Sequence, residues 1–353
     1  MPELDPRDQG PILFETLAAA MGASGPVARR LFGAVLRHGV FDPESWMRSR
    51  QVPRWFAERV GELPRLTLEE RRASPVDRFE KLLFRSHDGM PLETVLIPLE
   101  KTGAVSVCLS SQVGCAMGCV FCATARMTSR RNLATWEILD QFLQARALVE
   151  AQGRRVTGAV FMGMGEPFLN YDRVLAAADL LRHPAGPAIG AKAITISTVG
   201  IVPAMDRFTD EGWRFRLSIS LGSALDEKRA WLVPVAARWP AAEVMAAARR
   251  HALRRRTRVM LSYVCISNLN LGEEDAKALG ALIGDTPVRL DLIDVTDPSG
   301  RFQPPGAAEL KAFRDALTRH VGQPVARRYS GGKDILAACG TLAGGEIVGA
   351  SSS

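Results

Sequence analysis

The chain has 353 residues, of which 47% are hydrophobic and 24% charged. That length allows one large domain and a small one, and no apolar run is long enough to cross a bilayer. The chain start carries acids and prolines and lacks the apolar core of a signal peptide, so we expect a cytoplasmic protein. The net charge of +7 and the pI of about 9.3 suit a polyanionic partner such as nucleic acid. A soluble protein that is basic without such a partner has the same properties.

Helices and a pair of strands are predicted before the main body of the chain. Apolar residues recur at helical spacing in Val27–His38 and again near Trp55–Val60. Pro64 and the charged sequence LTLEERRASP predict a linker. The sequences FEKLLFR and LETVLIPLE then predict two strands on either side of a turn at His87–Met90.

From Val105 onwards the pattern changes to alternating strands and helices. The predicted strands are Val105–Leu109, Ala159–Met162, Ala193–Ser197, Arg216–Ser220, Arg258–Val264 and Val288–Ile293. The predicted helices are Trp136–Ala151, Tyr171–Leu181, Pro203–Glu211, Ala241–Leu253, Glu273–Ile283 and Ala307–Val321. This alternation predicts a parallel sheet with right-handed crossovers that curls into an open, partial barrel. Ligands of such folds bind at the carboxyl ends of the strands.

Cysteines are concentrated directly after the first strand of this series. Cys115, Cys119 and Cys122 have the spacing C-x3-C-x2-C, which lets one loop bind three irons of a [4Fe–4S] cluster and leaves the fourth iron open. A zinc knuckle or a set of buried thiols are the alternatives. Zinc requires a fourth Cys or His nearby, and the nearest other cysteine, Cys108, lies in the preceding strand.

Small and polar residues follow the next strands of the series. In FMGMGEP, Gly163 and Gly165 allow a ligand to approach the backbone, and the Glu166 carboxylate accepts from a ligand ammonium group. A tight strand–helix turn explains the same sequence. Ser197 and Ser220 end the third and fourth strands, where a hydroxyl binds a ribose or carboxylate, or caps the following turn.

Several segments together resemble the RlmN/Cfr family of radical-SAM RNA adenine methyltransferases. They are LETVLIPLE, SVCLSSQVGCAMGCVFCATARM, RRNLATWEILDQ, AVFMGMGEPFLN, ITISTVGIVP and DILAACGTLAG. The resemblance implies an α/β fold, a partial (β/α)6 radical-SAM barrel with a small helical N-terminal accessory domain. It divides the chain into an RNA-binding accessory domain at 1–75, a β-hairpin linker at 76–100, the radical-SAM core at 101–325 and a C-terminal segment with the methylated cysteine at 326–353.

The resemblance also implies a reaction. In the family, a [4Fe–4S] cluster held by three cysteines cleaves S-adenosylmethionine to a 5′-deoxyadenosyl radical. The family's C-terminal cysteine, which matches Cys339, first takes a methyl group, and the radical formed on that methyl adds to adenine, with carbon 2 as the favoured atom. The resolving cysteine matches Cys108, whose attack releases the base and leaves a Cys108–Cys339 disulfide. Glu93 matches the family's proposed proton acceptor. Taken singly, Cys108 and Cys339 are typical of thiols buried in a protein core, and Glu93 is typical of an ordinary strand carboxylate.

The cofactor contacts implied by the resemblance are Gly165, Glu166, Ser197, Ser220, Leu221, Gly222 and Thr296. The chain departs from the family where Gly222 replaces a histidine and Thr296 an asparagine, and where Ser330–Lys333 replaces Thr-Arg-Gly. These departures leave the RNA target and the methylated carbon open.

Partners are implied by the same resemblance: ribosomal or transfer RNA as substrate, an electron donor such as flavodoxin, and a monomeric enzyme. Arg130, Arg131, Arg327 and Arg328 flank the two cysteine motifs and are expected at the mouth of the site. The run at Arg249–Arg258 is either a phosphate contact or a solvated helix face. Two other functions stay open, a radical-SAM reaction on another substrate and a non-catalytic, cluster-bearing RNA-binding or redox-sensing protein.

Overall fold

The computed structural model describes residues 4–48, 52–101 and 103–344. Four helices form its N-terminal part: α1 (Pro11–Ala20), α2 (Gly25–Leu36), α3 (Pro43–Arg48) and α4 (Arg54–Val60). The two predicted helices of this region, α2 and α4, are confirmed, and α1 and α3 were not predicted. Buried side chains such as Phe14, Leu31 and Phe56 give these short helices a common apolar core.

The strands are β1 (Thr67–Ala73), β2 (Glu80–Arg85), β3 (Pro91–Pro98), β4 (Ala104–Cys108), β5 (Gln112–Val113), β6 (Arg131–Asn132), β7 (Arg155–Phe161), β8 (Ile194–Thr198), β9 (Arg216–Ser220), β10 (Val259–Cys265), β11 (Val288–Asp294) and β12 (Val325–Arg327). The later helices are α5 (Thr135–Glu150), α6 (Tyr171–Arg182), α7 (Val202–Asp210), α8 (Asp226–Leu232), α9 (Ala241–Arg255), α10 (Glu273–Ile283) and α11 (Ala307–His320).

Ten of these strands form one sheet, in the order β1-β2-β3-β4-β7-β8-β9-β10-β11-β12. The pairs from β1 to β4 are antiparallel, and the pairs from β4 to β12 are parallel. Strands β5 and β6 make a separate two-stranded pair within the loop after β4. The large sheet ends at β1 and β12, so it is a partial barrel and the predicted fold class is confirmed.

Burial explains which strands the sequence revealed. Every residue of β4 and β8 is buried, as expected for parallel strands covered by helices on one face and the barrel interior on the other. All six predicted parallel strands are present, and β9 has its predicted ends. The expected linker LTLEERRASP was wrong, because Thr67–Ala73 is the edge strand β1. Its residues are mostly exposed, so no apolar alternation marked it in the sequence.

A buried ion-pair network joins the N-terminal residues to the main body. The Arg7 guanidinium donates to Asp5 at 2.7 Å and lies 3.4 Å from the Asp140 carboxylate of α5. Arg65 also donates to Asp140, at 2.8 Å. No helix of the described residues has both the length and the apolar character that crossing a bilayer requires.

Candidate active site

A cavity opens at the carboxyl ends of the parallel strands. Its volume is about 210 Å³. The predicted site residues that line it are Cys108, Cys115, Cys119, Cys122, Gly165, Glu166, Ser197, Ser220, Gly222, Thr296 and Cys339. The topology therefore brings together residues that are more than two hundred positions apart in the sequence.

The loop between β4 and β6 carries three cysteines that face this cavity. Cys115 and Cys119 are buried, and Cys122 is partly buried. Burial, together with the neighbouring Cys122, raises the pKa of the Cys115 thiol to about 12. Burial likewise raises the pKa of Cys119, with Cys122 and Cys115 adding to the effect. Three clustered thiols that resist ionisation are poor nucleophiles alone, but a cationic metal centre favours their thiolate forms.

The spacing of these thiols bears on the zinc alternative. Among the described residues, no three Cys, His, Asp or Glu side chains surround a single metal-ion position. A four-iron cluster needs no such arrangement, since each thiolate binds a different iron. The three thiols around one cavity therefore fit a cluster with an open iron.

The loop after β7 is held against the start of the cysteine loop, and glycines make that contact possible. A Cβ at Gly165, where φ is +99°, would lie 2.6 Å from Cβ of Gln112. The Ser111 amide donates to the Met164 carbonyl at 2.8 Å. The sequence predicted a close approach of backbone to ligand, whereas the closest approach here is between two protein loops. Both loops still face the cavity.

Glu166 lies at the centre of this arrangement. Its side chain is 3% exposed, and its two oxygens accept from the amides of Phe168 and Val199, both at 2.9 Å. Burial raises the pKa of the Glu166 carboxyl to about 7, although these amide donors act to lower it. The carboxylate is thereby fixed in position, with a protonation state that changes near neutral pH.

The remaining predicted cofactor contacts differ in their placement. Ser197 and Ser220 end β8 and β9 and line the cavity, as do Gly222 and Thr296. The hydroxyl of Thr296 is buried and has no hydrogen-bond partner within the protein. Leu221 is fully buried and is not among the cavity-lining residues, so its side chain belongs to the core and only its backbone extends along the loop.

Cys339 and Cys108 approach the cavity from different elements. Cys108 ends β4 and is buried, and this burial raises the pKa of its thiol to about 12. Cys339 is exposed and adds to that rise, while the Arg328 guanidinium opposes it. All six cysteines are free thiols, so the Cys108–Cys339 disulfide is not supported. The two sulfurs face the cavity as separate groups, one in a rigid strand and one in a loop.

The segment that carries Cys339 is attached to the cysteine loop. The Ala123 amide donates to the Gly340 carbonyl at 2.7 Å, and the Thr124 hydroxyl donates to the Leu342 carbonyl at 2.6 Å. Ala123 and Thr124 directly follow Cys122. The position of Cys339 is therefore coupled to that of the predicted cluster ligands.

Glu93 holds the same segment from the other side. Its carboxylate forms a buried ion pair with Lys81 at 2.9 Å and accepts from the amides of Ala343 and Gly344, at 2.8 and 3.2 Å. Glu93 is not among the cavity-lining residues. In this conformation it fixes the C-terminal segment, and its role as proton acceptor stays a prediction.

The flanking arginines separate into two groups. Arg328 lines the cavity and donates to the Met162 sulfur at 3.2 Å. Arg131 pairs with Asp88 and the buried Glu137, and Arg327 pairs with Asp294 at 2.6 Å. Arg130 is exposed and donates to the Ala125 carbonyl at 3.3 Å. Of the four arginines that the sequence placed at the mouth, Arg328 is therefore the one that lines the cavity.

The run at the end of α9 is occupied by ion pairs. Arg250 pairs with Asp206 at 2.7 Å, and Arg249 and Arg254 pair with Asp285 and Asp210. Exposed pairs of this kind contribute little to stability. The arrangement favours the solvated helix face over a dedicated phosphate site.

Comparisons with known proteins decide the family. Residues 109–279 match the Radical SAM superfamily. A probable RNA methyltransferase of Myxococcus xanthus is 49% identical, covering 94% of this chain and 91% of its own length. A probable dual-specificity RNA methyltransferase RlmN of Heliobacterium modesticaldum is 40% identical, covering 85% of this chain and 82% of its own. The chain belongs to the RlmN/Cfr family of radical-SAM methyltransferases.

A solved structure extends this similarity from the sequence to the fold. The crystal structure of a radical SAM methyltransferase from Sphaerobacter thermophilus has a TM-score of 0.90 and 34% identity, covering 97% of this chain and 99% of that one. Family membership implies a [4Fe–4S] cluster and S-adenosylmethionine. The three clustered thiols and the buried Glu166 on one cavity fit those two groups.

Some residues of this RlmN/Cfr site were not predicted. Gln112 accepts from the Glu166 amide at 2.8 Å, and Arg126 lies 3.4 Å from the buried carboxylate of Asp297, beside Thr296. Helix α8 was also missed. The sequence indicated a role for Gln112 only through its position close to Cys115. A glutamine that holds two loops together has the same residue type and spacing as one that is exposed to solvent.

Proposed function

We propose that this protein methylates an adenine base of RNA, with carbon 2 as the favoured atom, through a methyl group carried on Cys339. The observation that supports it most strongly is the shared cavity. Cys339 and Cys108 line it together with the three cysteines of the radical-SAM loop. Radical-SAM enzymes in general need only those three cysteines, and two further thiols on the same cavity suit a reaction that passes through a protein-bound methyl group.

The residues contribute different functions to this proposal. The cluster and S-adenosylmethionine supply a carbon-centred radical when they are bound. Cys339, in an exposed loop, carries the methyl group and meets the base, while Cys108, fixed at the end of β4, frees the product from Cys339. The buried pair of Lys81 and Glu93 keeps the Cys339 segment in place.

RNA is favoured as the substrate by charge and by surface chemistry. The net charge of +7 suits a polyanion, and the exposed ring of Tyr329 lies beside Arg328 at the cavity mouth. Exposed aromatic rings stack on unpaired bases, and guanidinium groups bind phosphate. Ribosomal or transfer RNA as the target, a flavodoxin-type electron donor, a monomeric state and a cytoplasmic location stay predictions.

Replacing Cys339 with alanine tests the proposal. We expect C339A to lose RNA methylation while it keeps the visible absorption of the reconstituted cluster. C265A is the matched control, because Cys265 is buried in β10 and does not line the cavity. Its methylation should persist. Nucleoside mass spectrometry of RNA from cells that carry each variant gives the answer, and methylated adenine in the C339A strain would overturn the proposal.

The role of Cys108 requires a separate measurement. In C108A, the methylated base is not released, so a covalent complex of protein and RNA is expected to accumulate. Denaturing gels of protein purified with its RNA detect that complex, and ribonuclease treatment should remove the mobility shift. Normal turnover of C108A would contradict the assigned role.

A further inference from the structure

Helix α8 lies between the cysteine loop and the loops that follow β8 and β9. The Val120 amide of the cysteine loop donates to the Leu232 carbonyl at the end of α8, at 3.1 Å. A Cβ at Gly118 would lie 3.7 Å from Pro234. The loop that carries the cluster ligands therefore packs on the segment that directly follows Arg229.

Arg229 is the central side chain of α8 and is 1% exposed. Its Nε donates to the Leu221 carbonyl at 3.1 Å, and its Nη2 donates to the Val199 carbonyl at 2.9 Å. Its Nη1 donates to the carbonyls of Trp239 and Ala236, at 2.6 and 3.4 Å. Because Val199 follows β8 and Leu221 follows β9, one guanidinium fixes both of these loops.

No carboxylate of the described residues lies within ion-pair distance of Arg229. The groups whose negative charge acts on it are Asp226 in the same helix and, when ionised, Cys119 of the cysteine loop. Asp226 is itself engaged, because its carboxylate accepts from the Ala241 amide at 2.8 Å. Burial without a bonded anion is costly for a guanidinium, and it lowers the pKa of Arg229. The Val199 residue that Arg229 binds lines the cavity, so a negative group held there offsets this cost.

We propose that Arg229 is the buried counter-charge of the iron–sulfur cluster and raises its reduction potential. A four-iron cluster with three thiolate ligands is net negative, and uptake of one electron from the donor makes it more so. A fixed cation nearby stabilises the reduced form more than the oxidised form. A guanidinium does not deprotonate in proteins, and four carbonyl contacts hold this one in place. Arg229 acts through the cluster and is a positioning residue.

This proposal rests on the cluster of the family and not on RNA as the substrate. Its test is a redox measurement on the reconstituted holoenzyme without RNA, so it is independent of the methylation experiments. Two substitutions separate charge from geometry. R229Q removes the charge, whereas R229K keeps it, and neither side chain reproduces all four carbonyl contacts. R250Q is the control, because Arg250 is an exposed arginine of α9 that pairs with Asp206.

Titration with dithionite, followed by electron paramagnetic resonance of the reduced cluster, gives the midpoint potential of each variant. We expect a more negative midpoint in R229Q and wild-type midpoints in R229K and R250Q. Thermal unfolding should show a lower Tm in both Arg229 variants, because both lose carbonyl contacts.

A wild-type midpoint in R229Q with full cluster content would overturn the proposal. An equal shift in R229K and R229Q would also overturn it, since loop geometry and not charge would then control the potential. If R229Q fails to fold, R229K decides alone. A lowered Tm with an unchanged midpoint supports the counter-charge, and a shifted midpoint refutes it.

Discussion

Two walls of the cavity are built in different ways. The first wall consists of the loops after β4 and β7, which are joined by backbone contacts such as the Ser111 amide to the Met164 carbonyl. The second consists of the loops after β8 and β9, which are joined through the Arg229 side chain. Backbone contacts need glycine at defined positions and so leave a motif in the sequence. A wall braced by one side chain leaves none, although the two walls serve the same cofactor site.

Replacing Gly165 with alanine should have the largest effect on the stability of the cavity walls. Its Cβ would lie 2.8 Å from the Gln112 amide nitrogen, and the backbone is already at positive φ. Clash and strain together should cost about 3 kcal/mol of unfolding free energy. Urea unfolding of the apo-protein measures this loss, and iron content after reconstitution should fall with it.

Gly222 in the second wall is the matched control. Its φ is +75°, but a Cβ there meets its nearest neighbour, Val233, at 3.4 Å. G222A should cost only about 1 kcal/mol, the price of the backbone conformation alone. Equal losses of unfolding free energy in G165A and G222A would show that the two walls do not differ in packing.

Acidification should weaken cofactor binding at Glu166, whose carboxylate also accepts from the Val199 amide. Because burial raises the pKa of Glu166 to about 7, the carboxylate that is predicted to receive the amino group of S-adenosylmethionine becomes protonated below that pH. The affinity for S-adenosylmethionine should fall about tenfold per pH unit below about 7. Isothermal titration calorimetry measures it, and E166Q should bind weakly with no pH dependence from this group.

The raised pKa of Glu166 affects the stability of the fold in the opposite direction to its effect on cofactor binding. The native protein retains the Glu166 proton at a pH where the unfolded chain, with a pKa near 4.5, has lost it. The contribution of this group to stability is therefore present at low pH and decreases as the pH rises from about 4.5 through about 7. A wild-type minus E166Q difference in unfolding free energy that rises over this range would contradict the assignment.

Removing the hydroxyl of Thr124 should have a smaller effect, on the C-terminal segment and on the Cys122 thiol that the same hydroxyl contacts. T124V keeps the side-chain volume and leaves the Leu342 carbonyl without its donor, at a cost of about 1 kcal/mol. Hydrogen exchange should increase near Gly340 and remain unchanged in β8. Increased exchange throughout the cavity would indicate that the two walls and the C-terminal segment open as one unit.

Substitution at Arg250 should have almost no effect and provides the baseline. Its pair with Asp206 is exposed, so R250Q should change the unfolding free energy by less than about 0.5 kcal/mol. RNA affinity at physiological salt should also be unchanged, as measured by filter binding. A severalfold loss of affinity would restore the arginine run of α9 as an RNA contact.

The sequence predicted the elements that follow the strand–helix alternation and the loops that carry a recognisable motif. The buried parallel strands and the cysteine loop were placed correctly, because apolar runs and cysteine spacing are local signals. Strand β1 was missed because its exposed, charged residues resemble a linker. Helix α8 is one short, mostly charged segment, and nothing in its composition shows that Arg229 is buried. Glu93 was identified by resemblance, but its partners Lys81 and Ala343 depend on the tertiary fold.

The attachment of the C-terminal segment to the cysteine loop has a consequence for survival in air. Four-iron clusters with an open iron are degraded by dioxygen, and the rate depends on access. Gly340 lies against the backbone of Phe121 and Cys122, so the residues beside Cys339, the proposed methyl carrier, also cover one side of the cluster loop. Loosening this segment, as in T124V, should therefore shorten the lifetime of the cluster in aerated buffer, independently of any effect on methyl transfer.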